Sequence, residues 1–411
     1  MTTPAIAGGQ PAKTKPFGKA KNRYGEEELK ELREAIEQGT LFYAQGKKVH
    51  QLEAEFAKAH GAKYAVACSS CTAAIHTAFM AVGISPGDEV IVTAITDMGS
   101  ILPILWQGGV PVFADLDPET YNLDPASVEA NITPKTKAIL AVHLAGNACD
   151  LNALKAIADK NNLHLIEDCA QSHGATYQGK ALGTFGKIGC YSFNEFKHIS
   201  CGDGGVIITD DEKLATRCRL ATDKCYNRAA GASHQIRQAF FLADNYRMTE
   251  LQGAVALAQL RKLPSIVSRR REWVGQFHER IAKLPGLIFP KVTAGCDSSW
   301  WYYMIRVKPE LGGNADQFAK ALAAEGLPAA AHYIVDPVYT YPLFKNHSAF
   351  DHATHPFAAR EYKKGICPTA EAILDTCVIF YINEGYTAED LDQSVEALEK
   401  VTHYFASKRS A

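Results

Sequence analysis

Short apolar runs recur along this chain, each bounded by glycine, proline or charged residues, with stretches at helical spacing between them. The runs at 64–68, 89–94, 110–115, 138–143, 163–168, 189–193 and 205–209 read as strands. Over 48–60, Val49, Leu52, Phe56 and Ala59 fall on one helical face, and 73–82 has helical composition. Asp124-Pro125 marks a helix start, since proline at the first helical position gives up an N–H that has no intrahelical partner. Pro86-Gly87-Asp88 and Asp117-Pro118-Glu119 mark turns. This alternation predicts an α/β chain built on a mostly parallel sheet. The character changes near Leu284-Pro285-Gly286-Leu287. Beyond it lie an aromatic strand over 299–307, a helix over 314–326 and a last helix carrying Leu391, Val395 and Leu398 at helical spacing. Thr387 and Asp390 form a capping-box pattern ahead of that helix. The expected division is an N-terminal segment 1–30, a large domain 31–285 and a smaller C-terminal α/β domain 286–411.

Three segments carry chemistry. In Ser192-Phe193-Asn194-Glu195-Phe196-Lys197-His198-Ile199-Ser200-Cys201-Gly202-Asp203-Gly204-Gly205, one lysine stands between an apolar run and a glycine-rich turn. Burying an ammonium is costly, and desolvation lowers its pKa toward the range that Schiff-base lysines use. Taken alone, Lys197 reads first as a side chain snorkelling off a strand end, and only the other segments turn it toward a cofactor. Earlier, the run Leu163-His164-Leu165-Ile166-Glu167-Asp168 drives a strand into a carboxylate. Ligands of open α/β sheets bind at the carboxyl ends of strands, and a buried carboxylate there needs a cation. The protonated ring nitrogen of pyridoxal phosphate is such a cation, while a lysine holds its aldehyde. A helix cap is the competing reading of Asp168. Finally, Ser69-Ser70-Cys71-Thr72 precedes the 73–82 helix, where hydroxyls and backbone N–H groups suit an anion or an ordinary cap.

In this order and spacing the segments resemble the DegT/DnrJ/EryC1/StrS family, pyridoxal-phosphate aminotransferases of keto sugars and cyclitols, from about Gly8 to the C-terminus. The strongest motifs are Glu167-Asp168-Cys169-Ala170-Gln171 and the Ser192 to Gly205 run. Gly87-Asp88-Glu89-Val90-Ile91, Pro111 to Asp117, Val142-His143-Leu144-Ala145-Gly146 and Asn245 to Gln252 support them. The resemblance implies a fold-type I enzyme with the substrate cleft between a large and a small domain. It implies that Lys197 forms the internal aldimine and shuttles the proton. Asp168 then pairs with the pyridine nitrogen, Gln171 lies near the phenolic oxygen, and Ser192 with the Cys71 and Thr72 backbone holds the phosphate. Asn245 reaches the phosphate of the other subunit, which implies a homodimer with shared sites. Glutamate or glutamine donates the amino group to a keto sugar, nucleotide-linked or cyclitol.

Two departures stand out: Asp97 occupies the position where members carry a ring-stacking aromatic, and Cys71 stands where glycine is common. A subgroup of sugar dehydratases has histidine in place of the lysine. Here Lys197 is in register and His198 falls one place later, which favours transamination. Asp97, Arg228, His332 and Tyr333 are the candidate substrate contacts. The basic loop from Lys224 through Arg237 suits a carboxylate or diphosphate as well as it suits plain solvation. Other fold-type I activities (decarboxylase or lyase) and a non-enzymatic cofactor-binding regulator are the remaining alternatives.

Composition narrows the classes. The 411 residues, 47% hydrophobic, suffice for a sizeable core and more than one domain. A formal net charge of −2 gives no pull toward nucleic acid or anionic membrane. No stretch approaches a membrane span, and the N-terminus lacks an apolar signal core, so a cytoplasmic enzyme is expected. The eleven cysteines read as reduced thiols. Cys68 and Cys71 form a CxxC without a second pair to complete a zinc site, and no metal is expected. His143, inside an apolar strand, reads as a packing residue rather than an acid or base.

Overall fold

Period-two alternation sorts the apolar strands onto two faces. The computed structural model describes residues 3–18, 23–228 and 238–408. Seven strands make one sheet: β1 (Tyr64–Cys68), β2 (Glu89–Thr93), β3 (Val110–Ala114), β4 (Thr136–Val142), β5 (His164–Asp168), β8 (Ile188–Ser192) and β9 (Gly205–Thr209). Between β5 and β8 lies a small hairpin, β6 (Thr176–Tyr177) and β7 (Lys180–Ala181). The sheet order is β1-β9-β8-β5-β4-β2-β3, and only β9 runs antiparallel to its neighbours. On β4, Ala138, Leu140 and Val142 enter one core while Ile139 and Ala141 enter the other. Both faces are apolar because helices cover both, as a parallel sheet requires.

The helices are α1 (Glu26–Glu37), α2 (Lys48–His60), α3 (Cys71–Val82), α4 (Met98–Trp106), α5 (Pro125–Ala130), α6 (Leu151–Lys160), α7 (Glu212–Thr222) and α8 (Glu250–Ile281). Helix α3 starts two residues before the helical composition does, because Ser70 Oγ accepts from the Ala73 N–H at 3.0 Å and caps it. Strand β4 ends at Val142, so His143 leaves the ladder for a 3₁₀ turn at Leu144–Gly146. His143 is fully buried: Nδ1 accepts from the Cys149 N–H (3.2 Å) and Nε2 donates to Glu167 Oε2 (3.1 Å). Residue 30, the expected end of the N-terminal segment, falls inside α1, which packs on α8.

A second, antiparallel sheet has the order β10-β12-β14-β13, from β10 (Leu287–Ile288), β12 (Tyr302–Val307), β13 (Ala329–Ala331) and β14 (Cys377–Tyr381). The short β11 (Cys296–Asp297) pairs instead with β6. With α9 (Ala315–Ala324) and the C-terminal helix Ala388–Lys408, this sheet forms the smaller α/β unit. Asn314 caps α9, and Thr387 with Asp390 closes the expected capping box. Tyr303, Ile305 and Val307 face the unit's own core, whereas Tyr302 and Met304 join a core of the large sheet. Residues near the N-terminus pack on this unit: Lys13 Nζ meets Asp390 at 2.5 Å, and the Ala5 and Ala12 N–H groups donate to Glu325.

Helix α8 ties the two units together. Leu257, Leu260 and Leu263 lie in the large core and Trp273, Phe277 and Ile281 in the small one. At the crossing, buried Arg270 donates to Glu384 from Nε (3.0 Å) and Nη2 (2.8 Å). Removing one partner of a buried pair strands the other charge. Glu384→Ala should therefore cost about 3 kcal/mol in urea unfolding, and pairing it with Arg270→Met should recover most of that loss. A double variant as unstable as the single one would contradict this.

Candidate active site

The parallel strands aim their carboxyl ends at one edge, and the chemistry collects there. A cavity of about 230 Å³ is lined by Ser70, Cys71 and Thr72 from the start of α3, Asp97, Gly99 and Ser100 at α4, Asp168 and Gln171 after β5, and Ser192, Asn194 and Lys197 after β8. Asp203 and Gly204, ahead of β9, complete the wall.

Asp168 ends β5 and is buried. Its Oδ2 accepts from Ser100 Oγ at 2.7 Å and its Oδ1 from the Ala170 N–H at 3.0 Å. With its own hydrogen given to Asp168, Ser100 Oγ accepts from Thr96 Oγ1, 2.7 Å away. Burial nonetheless pushes the Asp168 carboxyl above the ordinary range, against the pull of these donors, Lys197 and His143. Lys197 lies in the turn between β8 and β9. Part of the residue faces solvent, but its nitrogen is desolvated, which lowers its pKa; Cys71, Asp168 and Asp97 oppose that shift. The nitrogen sits 3.8 Å from the centre of the Trp301 ring.

The turn is held from outside as well. Arg23 Nη2 donates to the Lys197 carbonyl and Trp301 Nε1 to the Phe196 carbonyl, each at 2.7 Å. Gln171 bridges the two units, accepting from the Ala145 N–H (2.8 Å) and donating to Tyr333 Oη (2.9 Å). Ser192 Oγ accepts from the Asn194 N–H at 3.2 Å. A Cβ on Gly99 would stand 2.7 Å from Thr72 Oγ1 and 2.9 Å from Asp97 Oδ1, so a larger residue there would force both side chains to shift. Asp97 caps α4 through the Gly99 N–H (2.7 Å) and keeps its carboxylate on the cavity wall.

Cys71, Thr72, Asp97, Asp168, Gln171, Ser192 and Lys197 therefore share one cavity, with Tyr333 bonded to its rim. Three other residues singled out from the sequence lie elsewhere. Arg228 is engaged by buried Asp223, Nε to Oδ2 at 2.6 Å. His332 bonds the Leu374 carbonyl (2.5 Å) and faces Asp316 (3.4 Å) on the small unit. Asn245 is exposed and outside its own chain's cavity, its backbone bridged to Asp223. Of the basic loop, 229–237 lies outside the described residues. Sequence reasoning missed Ser100, Trp301 and Arg23. Ser100 carried a usable signal, four residues from Thr96 across the first turn of α4, where the two hydroxyls meet.

The model of the DegT/DnrJ/EryC1/StrS aminotransferase family matches residues 22–399. The chain belongs to that family. It is a pyridoxal-phosphate-dependent transaminase of fold type I, related to sugar aminotransferases. It is 36% identical to the spore coat polysaccharide biosynthesis protein SpsC of Bacillus subtilis, over 83% of this chain and 88% of that one. It is 35% identical to the GDP-perosamine synthase of Caulobacter vibrioides, over 87% and 90%. Among solved structures, an aminotransferase from Psychrobacter cryohalolentis superposes with a TM-score of 0.86 at 29% identity, covering 95% of this chain and all of that one. A GDP-4-keto-6-deoxymannose-3-dehydratase superposes at 0.81 and 26% identity, over 94% of this chain and 100% of the other. Among the described residues no helix is long and apolar enough to cross a membrane.

The buried carboxylate allows a check on the bare protein. An acid whose folded-state pKa is raised binds protons more readily folded than unfolded, so stability falls as pH rises through that window. Asp168→Asn should therefore melt higher than the parent at neutral pH when both lack cofactor. The gap should close as pH falls into the ordinary carboxylate range, where both states are protonated. Equal melting at neutral pH would show that Asp168 carries no desolvation cost.

Proposed function

We propose that the enzyme moves an amino group from glutamate or glutamine to a keto sugar, nucleotide-linked or cyclitol, with Lys197 as the proton carrier. One observation supports this most: a desolvated lysine and a buried carboxylate short of a cation line the same cavity as a helix N-terminus. The donor set fits the cofactor: Asp168 offers its carboxylate to a ring cation, and Ser192 with the amides that open α3 faces an anion. Bound pyridoxal phosphate supplies the electron sink. Lys197 Nζ, on the cavity wall, takes the proton from the donor carbon and returns it on the other side of the exchange. Gln171 would lie near the ring's phenolic oxygen, and its bond to Tyr333 would couple that edge to the small unit.

The dehydratase reading is disfavoured by the direction of His198. That ring is fully buried and bonded through Nε2 to the Ser299 carbonyl at 3.0 Å, away from the cavity that Lys197 lines.

Two measurements test the reading. Lys197→Ala should lose the visible band of the bound cofactor and all turnover; a variant that keeps either removes Lys197 from its role. In the parent, glutamate or glutamine alone should bleach that band, and a persistent band with every donor would count against transamination. Asn245 is proposed to complete the partner's site in a homodimer. Mixing inactive Lys197→Ala and Asn245→Ala chains should then restore about a quarter of parental activity, one intact site per mixed dimer. Absence of any recovery, with subunit exchange verified, would place both residues in the same site.

A further inference from the structure

Trp301 precedes β12 and belongs to none of the roles above. Its indole makes two contacts with the lysine turn. Nε1 donates to the Phe196 carbonyl at 2.7 Å, fixing the backbone one residue before the lysine. Its π face lies 3.8 Å beneath Lys197 Nζ. Among the described residues Nζ has no hydrogen-bond or ion-pair partner, so the indole is what it rests on. Its backbone is held by Arg270 Nη1, which approaches the Trp300 and Trp301 carbonyls at 3.4 Å each, and its ring packs on Tyr302 at 5.2 Å between centroids.

We propose that Trp301 is a positioning residue for Lys197, its π face being the resting place of the lysine nitrogen whenever that nitrogen is not bonded to the cofactor. The proposal rests on the assignment of Lys197 above. A transaminase lysine must leave the cofactor, hold a proton nearby and return. A flexible four-carbon stem does this poorly unless something captures its end. Tryptophan offers the strongest π face for an ammonium, and the contact strengthens when water is excluded. It attracts only the protonated form, so it counters the desolvation that would otherwise strip the proton. The other groups facing Lys197 are Cys71 from α3, Asp97 at the α4 cap, Asp168 from β5, and the neighbouring His173 and His198. Burial lowers the pKa of both imidazoles, and a change confined to the Trp301 ring leaves all five groups in place.

The test reads the lysine directly, without activity. Cofactor-free protein is treated with trinitrobenzenesulfonate over a pH series, and modification of the Lys197 peptide is followed by mass spectrometry. In Trp301→Leu the midpoint should fall by about half to one pH unit, as loss of a partly desolvated cation–π contact predicts. Biosynthetic replacement of the four tryptophans by a tetrafluorinated analogue keeps their shape and weakens the π face, and should lower the midpoint in the same direction. The analogue decides the matter if the leucine variant does not fold. A midpoint unchanged in the fluorinated protein overturns the proposal. Failure of the Lys197 assignment reads out separately, as a visible band that survives Lys197→Ala.

Discussion

Two charges kept from water at one sheet edge organise this molecule. Asp168 is buried with two donors, neither of them a cation, and Lys197 has its nitrogen desolvated across the same cavity. Each is unfavourable by itself, because a charge in a low-dielectric site gives up hydration that neutral dipoles only partly replace. A group that binds the folded state and supplies the missing counter-charges returns that energy as stability. Part of the protein's stability is thereby deferred to such a group.

The geometry of the site depends on contacts far apart in sequence. The Lys197 turn is gripped by Arg23 from the N-terminal side and by Trp301 from the start of the second unit. Gln171 and Tyr333 make a third link between the units, and the Arg270–Glu384 pair a fourth within α8's crossing. Lysine alone cannot supply this precision, since its side chain has many rotamers to lose. The residues that carry chemistry are few; those that hold them still come from every part of the chain.

Legibility in the sequence followed locality. The large-sheet strands were readable because their apolar residues alternate between two buried faces, so a short window contains the whole signal. Asp168, the α3 turn and Lys197 were readable because each stands where a strand ends. Helix α3's true start was not, since Ser70's cap is a hydroxyl bond rather than a feature of apolar spacing. Trp301 read as one more apolar residue in an aromatic strand; the strand in fact begins at Tyr302, which frees the indole to turn toward Lys197. Arg228 and His332 looked available because a sequence shows charge but not its partner; Asp223 and the Leu374 carbonyl had already claimed them.

The aromatic departure at Asp97 gains a physical reading from this. Asp97 spends one oxygen capping α4 and holds its charge on the cavity wall, near enough to oppose the desolvation of Lys197. Trp301 meets the lysine nitrogen from the β12 side. A carboxylate and a π face both favour an ammonium over an amine, one by charge and the other by quadrupole. Together they offset burial without giving Lys197 a short ion pair, which would hold its proton too tightly for a shuttle. The arrangement favours an ammonium without the tight hold of a salt bridge, as the proton-carrier role proposed for Lys197 requires.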